Sequence, residues 1–122
     1  MSPKKKVQWA EECLARAVEL LPTTTHVRMT HRYSEEGGGE CRAEYQYFRA
    51  DINADLESLH TKRAIAQYIF HEVIHIPLDP LARIAKHLCH DRFAKKQVRD
   101  LHEYVTTSLE LMFFKLVFPE FE

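Results

Sequence analysis

Residues Ile65 to Ile76, reading IAQYIFHEVIHI, are apolar around nearly the whole circumference of a helix. Ile65, Tyr68, Ile69, Phe70, Val73, Ile74 and Ile76 leave no broad polar face, so this helix belongs at the centre of a domain. The polar residues inside the stretch then need a reason: Gln67, His71, Glu72 and His75. Burying two imidazoles and a carboxylate is costly unless something pairs with them.

His71-Glu72-Val73-Ile74-His75 has the pattern H-E-x-x-H. Helical residues four apart share a face, so both imidazoles aim at one point. Glu72 follows the first of them, within reach of a water held there. This is the spacing by which zinc takes two ligands beside a carboxylate that acts as general base. The alternative is a pair of core histidines satisfied by backbone groups or carboxylates. With eight His in 122 residues, accidental matches to the pattern are expected roughly 0.05 times. The motif on a buried helix therefore favours a metal.

The composition, 45% hydrophobic and 29% charged, suits one globular domain over residues 1–122, with residues 1–5 flexible. A net charge of -1 gives no reason to expect nucleic acid or a membrane surface as partner. No apolar run approaches the ~20 residues of a membrane span, and nothing at the N-terminus has the parts of a secretory signal. Cys13, Cys41 and Cys89 are odd in number and far apart, which argues against a disulfide framework. Reduced cysteines and a cytoplasmic location are expected.

Helical spacing runs from Lys5 to Leu21, where Pro22 ends it. His26 to Tyr33 alternates with period two, as a half-buried strand does, and Ser34 to Gly39 reads as a hairpin loop. Glu40 to Ile52 has strand chemistry, but its apolar phase flips at Tyr47-Phe48, predicting a bulge or two strands joined by a tight turn. Ser58 or Thr61 can cap the central helix, and Pro77 and Pro80 are expected to stop it before a shorter helix to Leu88. A last helix runs from Lys96 to Val117. Among the terminal phenylalanines, Phe113 and Phe114 are read as core, and Phe118 and Phe121 as open to a partner. The expected class is α+β: an antiparallel sheet of about three strands against a central H-E-x-x-H helix, with N- and C-terminal helices.

A catalytic zinc usually keeps three protein ligands. Leu78 and Leu81 stand where the metzincin pattern needs Gly and His, which excludes that class. The remaining third-ligand candidates are Glu103 and Glu110 on the last helix, and His87, His90 and His102. Glu103 is favoured, with Glu110 next.

Ala50-Asp51-Ile52 ends a strand before the motif helix, Ile76-Pro77-Leu78-Asp79-Pro80-Leu81 follows the motif, and Glu103 to Leu109 forms an E-x-V-x-x-x-L helix. In this order, over residues 25–116, the chain resembles small zincin-like metallopeptidases of the gluzincin type, above all their minimal phage and bacterial members. The resemblance implies Zn2+ held by His71, His75 and Glu103, with Glu72 as the catalytic base. It implies hydrolysis of a peptide or protein substrate by a zinc-activated water. His102, Tyr104 and His26 are candidates for stabilising the transition state. The competing expectation is a catalytically inactive, zinc-stabilised binding or assembly protein, such as a phage accessory factor. A metal-free interaction domain is a third.

Overall fold

A computed structural model describes residues 1–21, 26–30, 40–44 and 49–121. The elements in order are α1 (Pro3–Val18), β1 (His26–Thr30), β2 (Glu40–Glu44), β3 (Arg49–Asn53), α2 (Lys62–Leu88), α3 (Arg92–Val117) and a short 3-10 turn, Pro119–Phe121.

The Ser2 hydroxyl accepts from the Lys5 amide at 3.3 Å and Pro3 opens the helix, so α1 begins within the basic run. Lys6 is buried and donates its ammonium to the carbonyls of Leu56 (3.2 Å) and Glu57 (3.4 Å). Trp9 donates its indole N–H to the Lys62 carbonyl at 2.8 Å, tying α1 to the start of α2. Ala10, Cys13, Leu14 and Ala17 follow at helical spacing and are buried.

The expected α+β fold with an antiparallel sheet is corrected here. Helices of 16, 27 and 26 residues dominate, and the sheet beside them is small and mixed. Its order is β1-β3-β2. β3 runs antiparallel to β2, with Ala43 opposite Ala50, but parallel to β1, with Val27 opposite Ala50. The cause is burial: Ala50 and Ile52 of β3 are almost wholly enclosed, whereas His26 and Arg28 of β1 face solvent. The strand whose apolar side chains are most deeply buried takes the centre. Arg28 of β1 pairs with Asp51 of β3 at 2.9 Å. The phase flip near Tyr47 separates two strands, β2 and β3, and the hairpin loop read at 34–39 lies outside the described residues.

α2 is the centre. Thr61 caps it through the Ala64 amide at 3.1 Å, and Ile65, Ala66, Ile69, Phe70, Val73, Ile74 and Ile76 are buried. Pro77 and Pro80 do not stop it, contrary to the sequence reading; both lie inside one helix that continues to Leu88. Each proline lacks an N–H, so the carbonyls of Val73 and Ile76 lose their partners four residues on. Burial of Ile76 and Ala82 on either side holds the helix together across this defect.

The aromatic end also differs from expectation. Phe118 is fully buried, packing on Phe70 (6.1 Å between ring centres) and Phe114 (5.2 Å), while Phe113 is 40% exposed. Arg16 causes this closure: its guanidinium lies 4.4 Å over the Phe118 ring, donates to the Val117 carbonyl, and grips the Glu120 carboxylate at 2.7 and 2.9 Å. Among the described residues no helix is long and apolar enough to cross a membrane.

Candidate metal centre

His71 and His75 lie on the α2 face turned towards α3, with Glu72 beside them, and the ligand-capable atoms of the three all fall within 4.8 Å of one another. Glu72 and His75 are buried and His71 is half-buried. These three residues form a group that can hold a metal ion.

α3 supplies the opposite wall with His102, Glu103, Thr106 and Glu110, which recur at helical spacing on one face. The Glu103 carboxylate spans both imidazoles, one oxygen 3.4 Å from His71 Nε2 and the other 3.2 Å from His75 Nε2. The two Nε2 atoms are 3.2 Å apart. Two ligands at a metal distance of 2.0–2.1 Å and a tetrahedral angle are separated by about 3.3 Å. The three separations match that edge.

Hydrogen bonds behind the ligands decide which way their lone pairs point. Thr106, fully buried, donates its hydroxyl to the His102 carbonyl at 2.7 Å, so its oxygen can only accept from His75 Nδ1, 3.4 Å away. His102 Nε2 lies 3.0 Å from the same Nδ1. With its hydrogen on Nδ1, given to Thr106 or His102, His75 turns the Nε2 lone pair to the cluster. His71 does the same, its Nδ1 lying 3.5 Å from a Glu110 oxygen. Four acceptor atoms, two nitrogens and two oxygens, then face one another. Such an arrangement needs a proton or a metal cation among them.

The titration behaviour fits a proton held on one side. Hydrogen bonding to the Glu110 carboxylate raises the pKa of His71, against the opposing effect of burial. Burial pushes His75 down to about 4; Glu103 opposes the fall, and the neighbouring His71 and His102 add to it. A cation of higher charge would displace the His71 proton.

Comparison with protein-family models, with curated proteins and with solved structures finds no match.

The cluster opens into a cleft of about 330 Å³ lined by Cys41, His71, Glu72, His75, Asp79, His102 and Glu103. Cys41 enters from β2, and burial raises its thiol pKa, with the carboxylates of Glu72 and Asp79 adding to the effect. It is a thiol at neutral pH and a poor ligand in that form. Asp79 pairs with Arg83 at 2.9 Å.

Of the sequence candidates, His71, Glu72, His75, His102 and Glu103 come together here. Glu110 also arrives, but behind His71, on the nitrogen turned away from the cluster. Tyr104 is 69% exposed and does not line the cleft; neither do His26, His87 or His90. Thr106, Cys41 and Asp79 were not singled out from sequence. Thr106 was readable, since it completes the polar stripe 102, 103, 106, 110 on a helix packed against the motif.

Proposed function

We propose that this chain is a zinc-dependent, metallopeptidase-like hydrolase of the small gluzincin type. His71, His75 and Glu103 hold the metal, and Glu72 is the general base. The observation carrying this reading is the convergence of two imidazole nitrogens and the Glu103 carboxylate at 3.2–3.4 Å, close to a tetrahedral edge, beside a buried carboxylate in an open cleft. Zinc is preferred because two imidazoles, one carboxylate and an open position form its usual catalytic set.

Zinc in such a site polarises a carbonyl and makes water a stronger nucleophile at neutral pH. The chain's own residues do the rest. Glu72 accepts the proton of the attacking water and passes it to the leaving nitrogen. Glu110 and Thr106 hold the two imidazoles in the tautomer that frees Nε2. Among the described residues β2 is an edge strand and its Cys41 lines the cleft, so an extended peptide can pair with that edge across the reacting centre.

A second reading, a metal-stabilised binding protein without activity, has one specific support. An oxyanion donor is required, yet Tyr104 lies outside the cleft and His102 Nε2 is engaged by His75. Two measurements separate the readings. Metal analysis of purified protein should give one zinc per chain, lost in His75→Ala. Incubation with a mixed peptide library should give chelator-sensitive cleavage, abolished in Glu72→Gln with zinc content unchanged. A zinc-loaded protein that cuts nothing supports the second reading; a metal-free protein overturns both.

A further inference from the structure

α3 turns its polar side inward. His102, Glu103, Thr106 and Glu110 meet the α2 histidines, whereas positions 94, 98, 101, 105, 109, 112 and 116, three or four apart, are all apolar. About six turns of helix thus carry an apolar stripe without one charge. An amphipathic helix buries such a stripe, yet the buried residues of α3 are Thr106 and Phe114, and neither belongs to it.

α2 repeats the pattern. Phe70, Val73, Pro77, Leu81, Ile84 and Leu88 follow one another three or four apart on one side of the helix. Phe70 and Val73 are buried, Phe70 against Phe114 and Phe118, but the last three project into water. The two stripes adjoin, because Leu81 and Leu101 line one groove of about 250 Å³ between the helices, with Ala82 and Ala85 on its α2 side. Leu81, Ile84, Leu88, Leu101, Met112 and Leu116 are 50% to 75% exposed. With the half-buried side chains between them they form one apolar face on the order of 700 Å². That exceeds the ~300–600 Å² of a typical monomer's largest patch and approaches the ~800 Å² each partner gives a stable interface.

We infer that a second copy of the chain covers this face, two α2–α3 pairs packing about a twofold axis as a four-helix bundle. The area is what such a dimer needs. The shape is self-complementary, as a twofold contact between identical patches requires. Ridges at Leu81 and Leu101 and a furrow at Ala82 and Ala85 lie on the same surface, so a leucine of either copy has a furrow to enter on the other. A lipid surface fits less well: Arg92, Lys96 and Arg99 fall on the side of α3 away from the stripe, where they would not meet headgroups. The inference is independent of the metal reading. Asp79, which lines the metal cleft, is two residues from Leu81 and so on nearly the opposite side of α2, and the bundle leaves that side uncovered.

Sedimentation velocity of the full chain tests this. At about 100 μM it should sediment as a dimer, and dilution below the dissociation constant leaves α3 with only its own chain's contacts. Leu101→Glu and Met112→Glu each place a charge in the face twice per dimer and should weaken association by about 100-fold or more. Both replaced side chains are exposed, so the fold should persist, checked by Trp9 fluorescence. Lys96→Glu, on the other side of α3, should change nothing. Isotope-filtered NOEs in a mixed labelled and unlabelled wild-type sample need no substitution and should join methyl groups of Leu81, Leu101 and Met112 between copies. A wild-type monomer at that concentration overturns the inference, and one that sediments with anionic vesicles assigns the face to a membrane instead. A dimer indifferent to both glutamates, or as sensitive to Lys96→Glu, or with NOEs only between other residues, also overturns it.

Discussion

Two clusters fasten α3 to the helices before it, and they are opposites. At one end Arg16 of α1 brings donors to the Glu120 carboxylate and the Val117 carbonyl while covering Phe118. At the other, His71 and His75 of α2 meet Glu103 of α3 with acceptors facing acceptors. The first is complete with the chain's own charges. The second is short of positive charge and is completed only by a proton or a metal. An ion pair that closes on itself is read as structure; a convergence of lone pairs is read as a place for something to bind.

This contrast can be broken in four ways. The largest effect is expected from chelation. At a free zinc level 1,000-fold above Kd, bound metal contributes about 4 kcal/mol, so EDTA should lower Tm by on the order of 15 °C. Arg16→Ala should show the same drop on chelation, because its cluster takes no part. A Tm indifferent to EDTA in zinc-loaded protein would remove the contrast altogether.

Next comes acid. In the metal-free protein His75 has its folded pKa depressed, to about 4 from an ordinary 6.5, so its contribution is present above pH 6.5 and is lost as pH falls towards 4. The loss is at most about 3 kcal/mol. His71 is raised, so its contribution is full below pH 6.5 and fades as pH rises through its folded value. Urea melts of the metal-free protein should therefore give greatest stability near pH 6.5. The Arg16–Glu120 pair is fully formed above pH 4.5 and adds no pH dependence there, since the pKa of Glu120 is lowered from that value. A stability flat between pH 5 and 7 would mean that the imidazoles do not behave as described.

Third is Glu110→Ala, which frees His71 Nδ1 without removing a proposed ligand. Zinc affinity should fall by about 10-fold to 100-fold, read by competition with a chromophoric chelator. A complete loss of binding would make Glu110 a ligand in place of Glu103. Smallest is Arg16→Ala itself, expected to cost about 1 kcal/mol through its lost cap and ring contact, with zinc affinity unchanged.

Much of this was legible because it is local. Spacing alone placed His71 and His75 on one face of a buried helix with Glu72 beside them, and Thr61 was readable, with Ser58, as a candidate cap. The polar stripe of α3 pointed to Glu103 and Glu110, although only the packed geometry distinguishes the carboxylate facing the Nε2 atoms from the one behind. Other features depend on contacts distant in sequence. Period two marks β1 as a strand but not its neighbour, so the parallel pairing with β3 stayed hidden. Pro77 and Pro80 are local stop signals overridden by burial of Ile76 and Ala82. Phe118 looked open because it sits near the chain's end, and Arg16, far away in sequence, closes over it.

α3 is seated at two points. Its buried residues are Thr106, behind the metal cluster, and Phe114, in the aromatic core, and its first ten residues contain none. The leading half of the helix is thus a lever whose nearest anchor is the His75–His102–Thr106 contact. Loosening that anchor should release the half-helix as a unit while the aromatic end stays closed. Amide hydrogen exchange would register this as a protection step near residue 106, sharp in the metal-free chain and flattened when zinc is added.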